Sequence, residues 1–354
     1  MSFSITQLRA LHDLACSVAR TAGAYLRDDQ LRRRTVAIST REKLNSVDLV
    51  TVADEGVEKL IREAILKECP DHDFIGEESY SAGQERRFLL KDGPTWIVDP
   101  IDGVRRPIAA FGGSHSKAQT VNMVHMFPMI AISIGWCIDA IPTVGVVFCP
   151  FLGGYGTLYS AIRHPEGGAW LSEFGEDGPR TPLPLITPPP PLPEDAPKGC
   201  LFFGEYGKDR RDHPNSNLTK KAANFVNMAT EIGGRGGKGG MVHGIRSLGS
   251  STMDMVYVAA GQGDLMFEAG CWEWDVCAGI AILLQTGGIV VDSNPPPDLS
   301  ETDPIPMANL GGRRYLAIRA CSEDSRGRSA REQQEALVRQ VWKRTERLDY
   351  QRPM

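Results

Sequence analysis

Three groups of acids stand out by type and spacing. Glu77 and Glu78 follow the short apolar run "DFIG", Asp73–Gly76. Asp99 and Asp102 flank the Pro100–Ile101 pair in "TWIVDPIDG", Thr95–Gly103. Asp275 stands behind Trp274 in "WEWDVCAGIAILLQTGG". None has a basic residue adjacent to it in sequence. Alone, each reads as a helix cap or a solvated turn acid. Together they sit at the ends of separate elements, where a fold can bring them to one place. Two carboxylates about 4 Å apart repel by about 4 kcal/mol at an effective dielectric of about 20, so a converged cluster needs a cation near neutral pH. Oxygen donors alone, with no histidine or cysteine at ligand spacing, point to Mg²⁺. Magnesium keeps waters and binds through substrate phosphates, so the chemistry expected is that of a phosphate ester.

Competing chemistries find no support. There is no H-E-x-x-H and no G-x-S-x-G, so neither a zinc peptidase nor a serine hydrolase is indicated. "GGRGGKGG" lacks the G-K-[ST] ending of a nucleotide-binding loop and reads as a glycine-rich connection. The eight cysteines include no C-x-x-C pair, which fits reduced thiols and a cytoplasmic setting. A net charge of −5 without a basic patch argues against a nucleic-acid partner. The first residues, "MSFSITQLRALHDLA", lack a basic region leading into an apolar one, and runs such as "MIAISIGWCIDAI" are too short to span a bilayer. No membrane association is expected.

Several elements must position these acids. Leu8, Leu11, Ala15, Val18, Ala22 and Leu26 recur at helical steps. "VDLVTVAD", Val47–Asp54, is an apolar run closing on Asp54. A helix through Val57, Leu60, Ile61, Ala64 and Ile65 then starts with Asp54 near its N-terminus, where a carboxylate is favoured. "DFIGEES" reads as a strand into an acidic turn. "WIVDP", "MIAISIGW", "TVGVVFCP" and "GYGTLYSA" read as strands. Residues 179–197, rich in proline, read as a surface loop. Beyond it come "CLFFGEYG" as a strand, 215–232 as a helix, "SSTMDMVYVAAGQ" as a helix, "GDLMFEAG" as a strand, a helix opened by Asp275, and the strand "GIVVDS". Leu337, Val338, Val341 and Trp342 mark a terminal amphipathic helix. With 354 residues, 42% of them hydrophobic, the chain can bury one large or two modest cores. The class is α/β or α+β with layered sheets.

At this point the residues resemble a known family. "DLVTVAD", "FIGEES", "WIVDPIDG" and "WEWDVCAG…QTGG" match, in order, the signatures of the inositol monophosphatase family of Mg²⁺-dependent, lithium-sensitive phosphatases. The resemblance runs from about Leu8 to Ala320 and includes "VHGIRSLGS" and "GDLMFEAG". The proline-rich loop and "GGRRYLAIRA" look like the branch associated with quinate utilisation in filamentous fungi. The resemblance implies a layered α/β/α/β/α sandwich, the sugar-phosphatase fold, usually a homodimer. It implies an inositol monophosphatase-like domain over 1–325, with an N-terminal metal-binding half to about residue 200 and a C-terminal half over 201–325, followed by a helical tail over 326–354.

The resemblance also implies roles, residue by residue. Glu77, Asp99 and the carbonyl of Ile101 would hold one Mg²⁺; Asp99, Asp102 and Asp275 a second; a third, looser ion would lean on Glu77. Two such metals clamp a phosphate ester and make a bound water acidic. The amide of Gly103 and the next would bind phosphate. Glu268 would accept hydrogen bonds from substrate hydroxyls, with Gly249, Ser250 and Ser251 lining that side. Asp102 and Thr120 also belong to the implied substrate-binding set. Glu77, Asp54 and Thr120 would be the catalytic residues, Asp54 and Thr120 together polarising the attacking water. Lys43 and Arg246 match family positions, each reading as well as a structural ion-pair partner.

One departure is large. The family reads D-G-T-T-N-F-V-H after the strand, but here Gly103 is followed by Val104, and the text resumes at Thr120. Val104–Gln119 is therefore an insertion of sixteen residues. It reads either as a loop over the metals, whose "RRP" and "SHSK" contact phosphate, or as a retained intron. Valine codons begin GT, a glutamine codon can end AG, and sixteen codons keep the reading frame. The functional readings are a phosphomonoesterase for inositol monophosphate or a similar small polyol phosphate; a same-fold phosphatase for a nucleotide 3′-phosphate, a sugar bisphosphate or a quinate-pathway phosphate; and a metal-binding pseudoenzyme with a regulatory role.

Overall fold

A computed structural model of the protein describes residues 3–39, 46–81, 90, 92–103, 105–107, 118–175, 178–207, 209 and 211–351; for 32–39, 46–54, 81, 105–107, 118–121 and 124 it describes the backbone alone. The chain divides into two compact units, Met1–Thr181 with Trp274–Ile282, and Pro182–Glu273 with Leu283–Pro353. The first unit runs α1 (Ile5–Ser39), α2 (Ser46–Glu68), β1 (Asp73–Gly76), α3 (Glu77–Ser81), β2 (Pro94–Asp102), β3 (Arg105–Pro107), β4 (Ala118–Thr120), α4 (Val121–Val124), β5 (Ala131–Ile138), β6 (Ile141–Cys149), β7 (Thr157–Ile162), β8 (Gly168–Ser172) and β9 (Arg180–Pro182). Among the described residues its main sheet has the order β1-β2-β5-β6-β7-β8-β9. β1 and β2 are parallel, and the pairs from β2 to β8 are antiparallel.

Two-residue periodicity decides which side of this sheet each residue faces. Trp96 and Val98 of β2, Ile132, Ile134 and Trp136 of β5, and Val144, Val146 and Phe148 of β6 share one core with the α1 stripe Leu8, Leu11, Ala15, Val18, Ala22 and Leu26, and with Val57, Ile61 and Ile65 of α2. Burying each large aliphatic side chain contributes about 1.5–3 kcal/mol. The next core residue of β2 is Ile101 rather than Pro100. The phase shifts because the β2–β5 register is irregular between Asp99 and Asp102: Asp99 faces Ser133 while Asp102 faces Ala131. The extra residue is a β-bulge.

The second unit runs β10 (Leu201–Gly204), α5 (Asn217–Ala229), the short turn α6 (Gly234–Gly237), β11 (Gly244–Arg246), α7 (Ser251–Ala259), β12 (Leu265–Ala269), the C-terminal end of α8 (Glu273–Gln285), β13 (Ile289–Val291), β14 (Arg314–Ile318) and α9 (Ala330–Arg344). Its sheet order is β11-β10-β12-β14-β13 among the described residues. β10 is parallel to β11 and β12, and β14 is antiparallel to β12 and β13. Phe202, Leu265, Phe267, Leu316 and Ile318 pack with Leu337, Val338, Val341 and Trp342 of α9. α9 is thus a core element of this unit; a reciprocal Ser329–Glu332 capping box starts it. On the other side of the sheet, Phe203 stacks on Tyr257 of α7 at 6.0 Å between centroids. Helices and mixed sheets make the fold α/β.

Three elements depart from expectation. α2 begins at Ser46, so Asp54 lies inside the helix and not near its start. Val47, Val50 and Val52 favour strand locally, but the helix continues through them. The acidic turn after β1 is a helical turn, α3. The proline-rich loop opens on a short edge strand, β9. No helix among the described residues is long and apolar enough to cross a membrane, and the eight cysteines are free.

Candidate metal centre

The bulge in β2 builds the site. On a regular strand, residues three apart face opposite sides. The extra residue between Asp99 and Asp102 puts both on the side away from the α1–α2 core. Asp99 is 1% exposed, and its Oδ1 accepts a hydrogen bond from the Ile101 amide at 2.9 Å, which closes the turn. The third acid comes from α8. Ser133 Oγ, facing the same side from β5, donates to the Trp274 carbonyl at 2.9 Å. Two glycines let the start of α8 approach the sheet. A Cβ on Gly135 would meet the Cys277 sulfur at 2.5 Å, and one on Gly145 the Ala278 carbonyl oxygen at 2.2 Å. One carboxylate oxygen each from Asp99, Asp102 and Asp275 then lie within 4.8 Å of one another, all three residues buried.

Glu77 joins them. Burial pushes the Asp99 carboxyl well above its ordinary value; the charges of Glu77, Asp102 and Asp275 add to this, and a hydrogen bond with Glu77 completes it. The sequence-expected acids Glu77, Asp99, Asp102 and Asp275 therefore form one electrostatic group within the first unit. Burial first, and Asp102 second, push the Cys149 thiol up to about 12, so this neighbour is an inert thiol and the donors are oxygens. Such a buried, all-oxygen carboxylate set suits a hard divalent cation.

A residue missed in the sequence holds Glu77 in place. Glu58 of α2 is 4% exposed. Its carboxylate accepts the amides of Glu78 at 2.6 Å and Ser79 at 2.9 Å, and the Ser79 hydroxyl. It thereby caps α3, whose first residue is Glu77. A Cβ on Gly76 would meet that carboxylate at 2.4 Å. The signal was a charge on the apolar stripe Val57, Ile61, Ile65 of α2.

The phosphate-side residues are only partly described. Gly103 is buried, and its carbonyl accepts the Asn122 amide at 3.2 Å. Arg105 pairs with Thr120, and Pro107 with Ala118. The insertion therefore leaves and returns as a paired stem. The side chains of Asp54 and Thr120 lie outside the described residues, as do Lys43, Val104 and 108–117 entirely.

Glu268, Gly249, Ser250 and Ser251 lie in the second unit. Glu268 Oε1 accepts from Lys221 Nζ at 3.0 Å and from the Ala269 amide at 2.9 Å; its Oε2 accepts from the Glu205 amide at 3.1 Å. Ser250 caps α7, its hydroxyl accepting the Met253 amide at 3.1 Å, and Ser251 is the first residue of that helix. Glu205 was not foreseen. It accepts from the Gly249 amide at 2.7 Å and the Ser247 hydroxyl at 2.8 Å. Burial, then the charge of Glu268, push its carboxyl up to about 7. Arg246 donates to the Ile245 carbonyl at 3.1 Å.

Known proteins bear on these two groups. The sequence profile of the inositol monophosphatase family matches residues 7–346. "Protein qutG" of Emericella nidulans is 47% identical over 350 residues, 98% of this chain and 97% of that one. "Quinic acid degradation cluster protein x" of Neurospora crassa is 44% identical over 361 residues, covering 98% and 97%. Among solved structures, the inositol monophosphatase from Anabaena (Nostoc) sp. PCC 7120 superposes with a TM-score of 0.61 at 22% identity, over 96% of this chain and 97% of that one.

Proposed function

The chain belongs to the inositol monophosphatase family, a family of metal-dependent phosphatases, and from that premise we propose that it is a Mg²⁺-dependent phosphomonoesterase acting on inositol monophosphate or a similar small polyol phosphate. The observation that carries the reading is the buried convergence of Asp99, Asp102 and Asp275, with Glu77 electrostatically joined to it. Bound Mg²⁺, two or three ions, would neutralise the phosphate oxygens and supply an acidic water for attack. Glu77, Asp99, Asp102, Asp275 and the Ile101 carbonyl would hold the ions. Gly103 and the amide after it would orient the phosphate. Asp54 and Thr120, with Glu77, would direct the attacking water. Glu268, Gly249, Ser250 and Ser251 would face the substrate's hydroxyl groups. Phosphoryl transfer asks mainly for positioning and charge neutralisation, and buried carboxylates fixed by the bulge, by the β5 and β6 glycines that face α8, and by Glu58 supply a rigid frame for both.

A second substrate reading has its own support. The relatives at 47% and 44% identity carry names tied to a qut gene and to a quinic acid degradation cluster, which favours a quinate-pathway phosphate as the physiological substrate. Nucleotide 3′-phosphates and sugar bisphosphates complete the panel to be tested. Phosphate release from each compound, with Mg²⁺ and with EDTA, tests the assignment. Mg²⁺-dependent release, inhibited by Li⁺, is expected; turnover that survives EDTA overturns it, and tight Mg²⁺ binding without turnover indicates a pseudoenzyme. A cytoplasmic homodimer belongs to the same reading, and light scattering on the purified protein tests the dimer.

A further inference from the structure

Beyond α9 the chain forms an extended strap, and three buried asparagines grip it by its backbone. Asn224 Oδ1 accepts the Glu346 amide at 2.6 Å. Asn294 accepts the Leu348 amide and donates to the Leu348 carbonyl, both at 2.9 Å. Asn217 accepts the Asp349 amide at 2.8 Å and donates to the Asp349 carbonyl at 3.1 Å. Arg314 Nη1 donates to the Tyr350 carbonyl at 2.7 Å. Two-point amide grips fix position as well as satisfying buried backbone groups.

The strap delivers Tyr350 to one place. Lys221 Nζ lies 5.3 Å from the centroid of the Tyr350 ring, within cation–π range. The same ammonium donates to Glu268 Oε1 at 3.0 Å and to the Ala269 carbonyl at 2.6 Å, with Lys221 2% and Glu268 1% exposed. Glu205, a half-buried carboxylate, donates its amide to Glu268 Oε2 and holds the Ser247–Gly249 turn. The Lys221 ammonium thus pairs with Glu268, while the Glu205 carboxylate is taken up by Ser247 and Gly249. A buried lysine without partners is disfavoured; this one is enclosed by an acid, a carbonyl and an aromatic face, the last carried by the strap.

We propose that Lys221, held in place by the strap Glu346–Tyr350, is a specificity-determining positioning residue that fixes the carboxylate of Glu268 as acceptor for the hydroxyl groups of a polyol phosphate. The proposal rests on the reading of Glu268 as a substrate contact. It makes the strap part of substrate recognition, and it predicts discrimination between esters that carry alcohol hydroxyls and esters that do not.

The test compares myo-inositol 1-phosphate with p-nitrophenyl phosphate, which has no alcohol hydroxyl, on the full chain and on Lys221→Met, Lys221→Arg, Tyr350→Ala and Tyr350→Phe. Lys221→Met is expected to raise KM for the inositol ester by about tenfold or more, because a site built to bind hydroxyls loses its oriented acceptor. Its kcat/KM for the aryl ester should stay within about threefold of the unaltered chain. Lys221→Arg should restore much of the loss. Tyr350→Ala should shift KM in the same direction, and Tyr350→Phe, which keeps the ring, should not. Tyr350→Ala also decides the matter if Lys221→Met does not fold. Equal losses on both esters, or an unchanged KM for the inositol ester, overturn the proposal. If the unaltered chain cleaves neither ester with Mg²⁺, the phosphatase reading itself fails, and the proposal falls with it.

Discussion

Replacing Asp99 by asparagine pulls two properties in opposite directions. Burial and three neighbouring acids hold the Asp99 carboxyl above its ordinary value, so in the metal-free protein its ionised form opposes folding. An amide in its place removes that charge at almost constant volume. Asp99→Asn should therefore raise the melting temperature in EDTA by a few degrees, while Mg²⁺-dependent activity falls by more than about a hundredfold with the loss of a shared ligand. Melting curves with EDTA and rates with Mg²⁺ check both signs; a variant that is destabilised without metal, or that keeps its rate, contradicts the site. Glu205 gives a second residue-scale prediction. Its folded value of about 7 stands above the ordinary 4.5, so the folded state binds more protons than the unfolded one between those values. Stability contributed this way is present below about 4.5 and is lost as pH rises through about 7, by up to roughly 3 kcal/mol. Urea unfolding at about pH 5 and pH 7.5 should show Glu205→Gln with the shallower decline; identical slopes would exclude the shift. The acids at element ends were legible because carboxylates gathered at strand and helix ends have few other uses. Glu58 and Lys221 were not. Lys221 shares a helical stripe with Asn217, Asn224 and Met228, all buried, and such a stripe reads in sequence as a solvated face until its partners, Glu268 and the strap, are known.

Among the elements, the closeness of α8 to the sheet is the vulnerable dimension. Gly145 faces the Ala278 carbonyl with no room for a methyl group, and a backbone atom cannot rotate away. Gly145→Ala should cost about 1–3 kcal/mol by overpacking. By shifting Asp275 about 1 Å it should also lower activity on the order of a hundredfold. Denaturation together with kcat measures both, and an unaltered kcat would mean that α8 does not set the metal geometry. The insertion is the other element-scale question. In the structure the Asn122 amide bonds to the Gly103 carbonyl at 3.2 Å across the insertion. If Val104–Gln119 is removed, these residues become i and i+3, and the same bond closes an ordinary turn into α4. Loop closure depends weakly on length, so folding should survive either way. Deletion should raise kcat/KM on inositol monophosphate by about tenfold or more by tightening the phosphate cradle, and transcripts across the junction should read D-P-I-D-G-T-V-N. A deletion that lowers the rate makes the insertion a working loop. Strand identity was readable from apolar runs bounded by turns, but the bulge was not, because it exists only in the register against β5. The start of α2 was misread for a related reason: valines favouring strand were overridden by the helix they continue.

At the scale of the whole molecule, a nine-residue piece of the C-terminal half, Trp274–Ile282, belongs to the first unit. Sequence order assigns it to the second half, and contacts such as those of Gly135, Gly145, Ser133 and Tyr80 with it show otherwise. This gives metal binding an uneven thermodynamic footprint. The acids of the cluster all lie in the first unit, so a cation that binds only the folded cluster stabilises that unit by mass action, by about 2.7 kcal/mol at a hundred times its dissociation constant. The effect has a pH sign. Without metal, burial and the neighbouring acids raise the Asp99 carboxyl above its ordinary value, and a cation competes with protons for the cluster. Stabilisation by Mg²⁺ should therefore grow as pH rises. Hydrogen exchange with and without Mg²⁺, at about pH 6 and pH 8 with rates corrected for intrinsic exchange, reads both features. Protection should increase first in β2, β5 and Trp274–Ile282, and more at the higher pH, while β10, β12 and β14 change less. Protection that rises mainly in the second unit would move the metal away from the Asp99 cluster. A gain that shrinks with pH would mean that the metal does not compete with protons for the cluster.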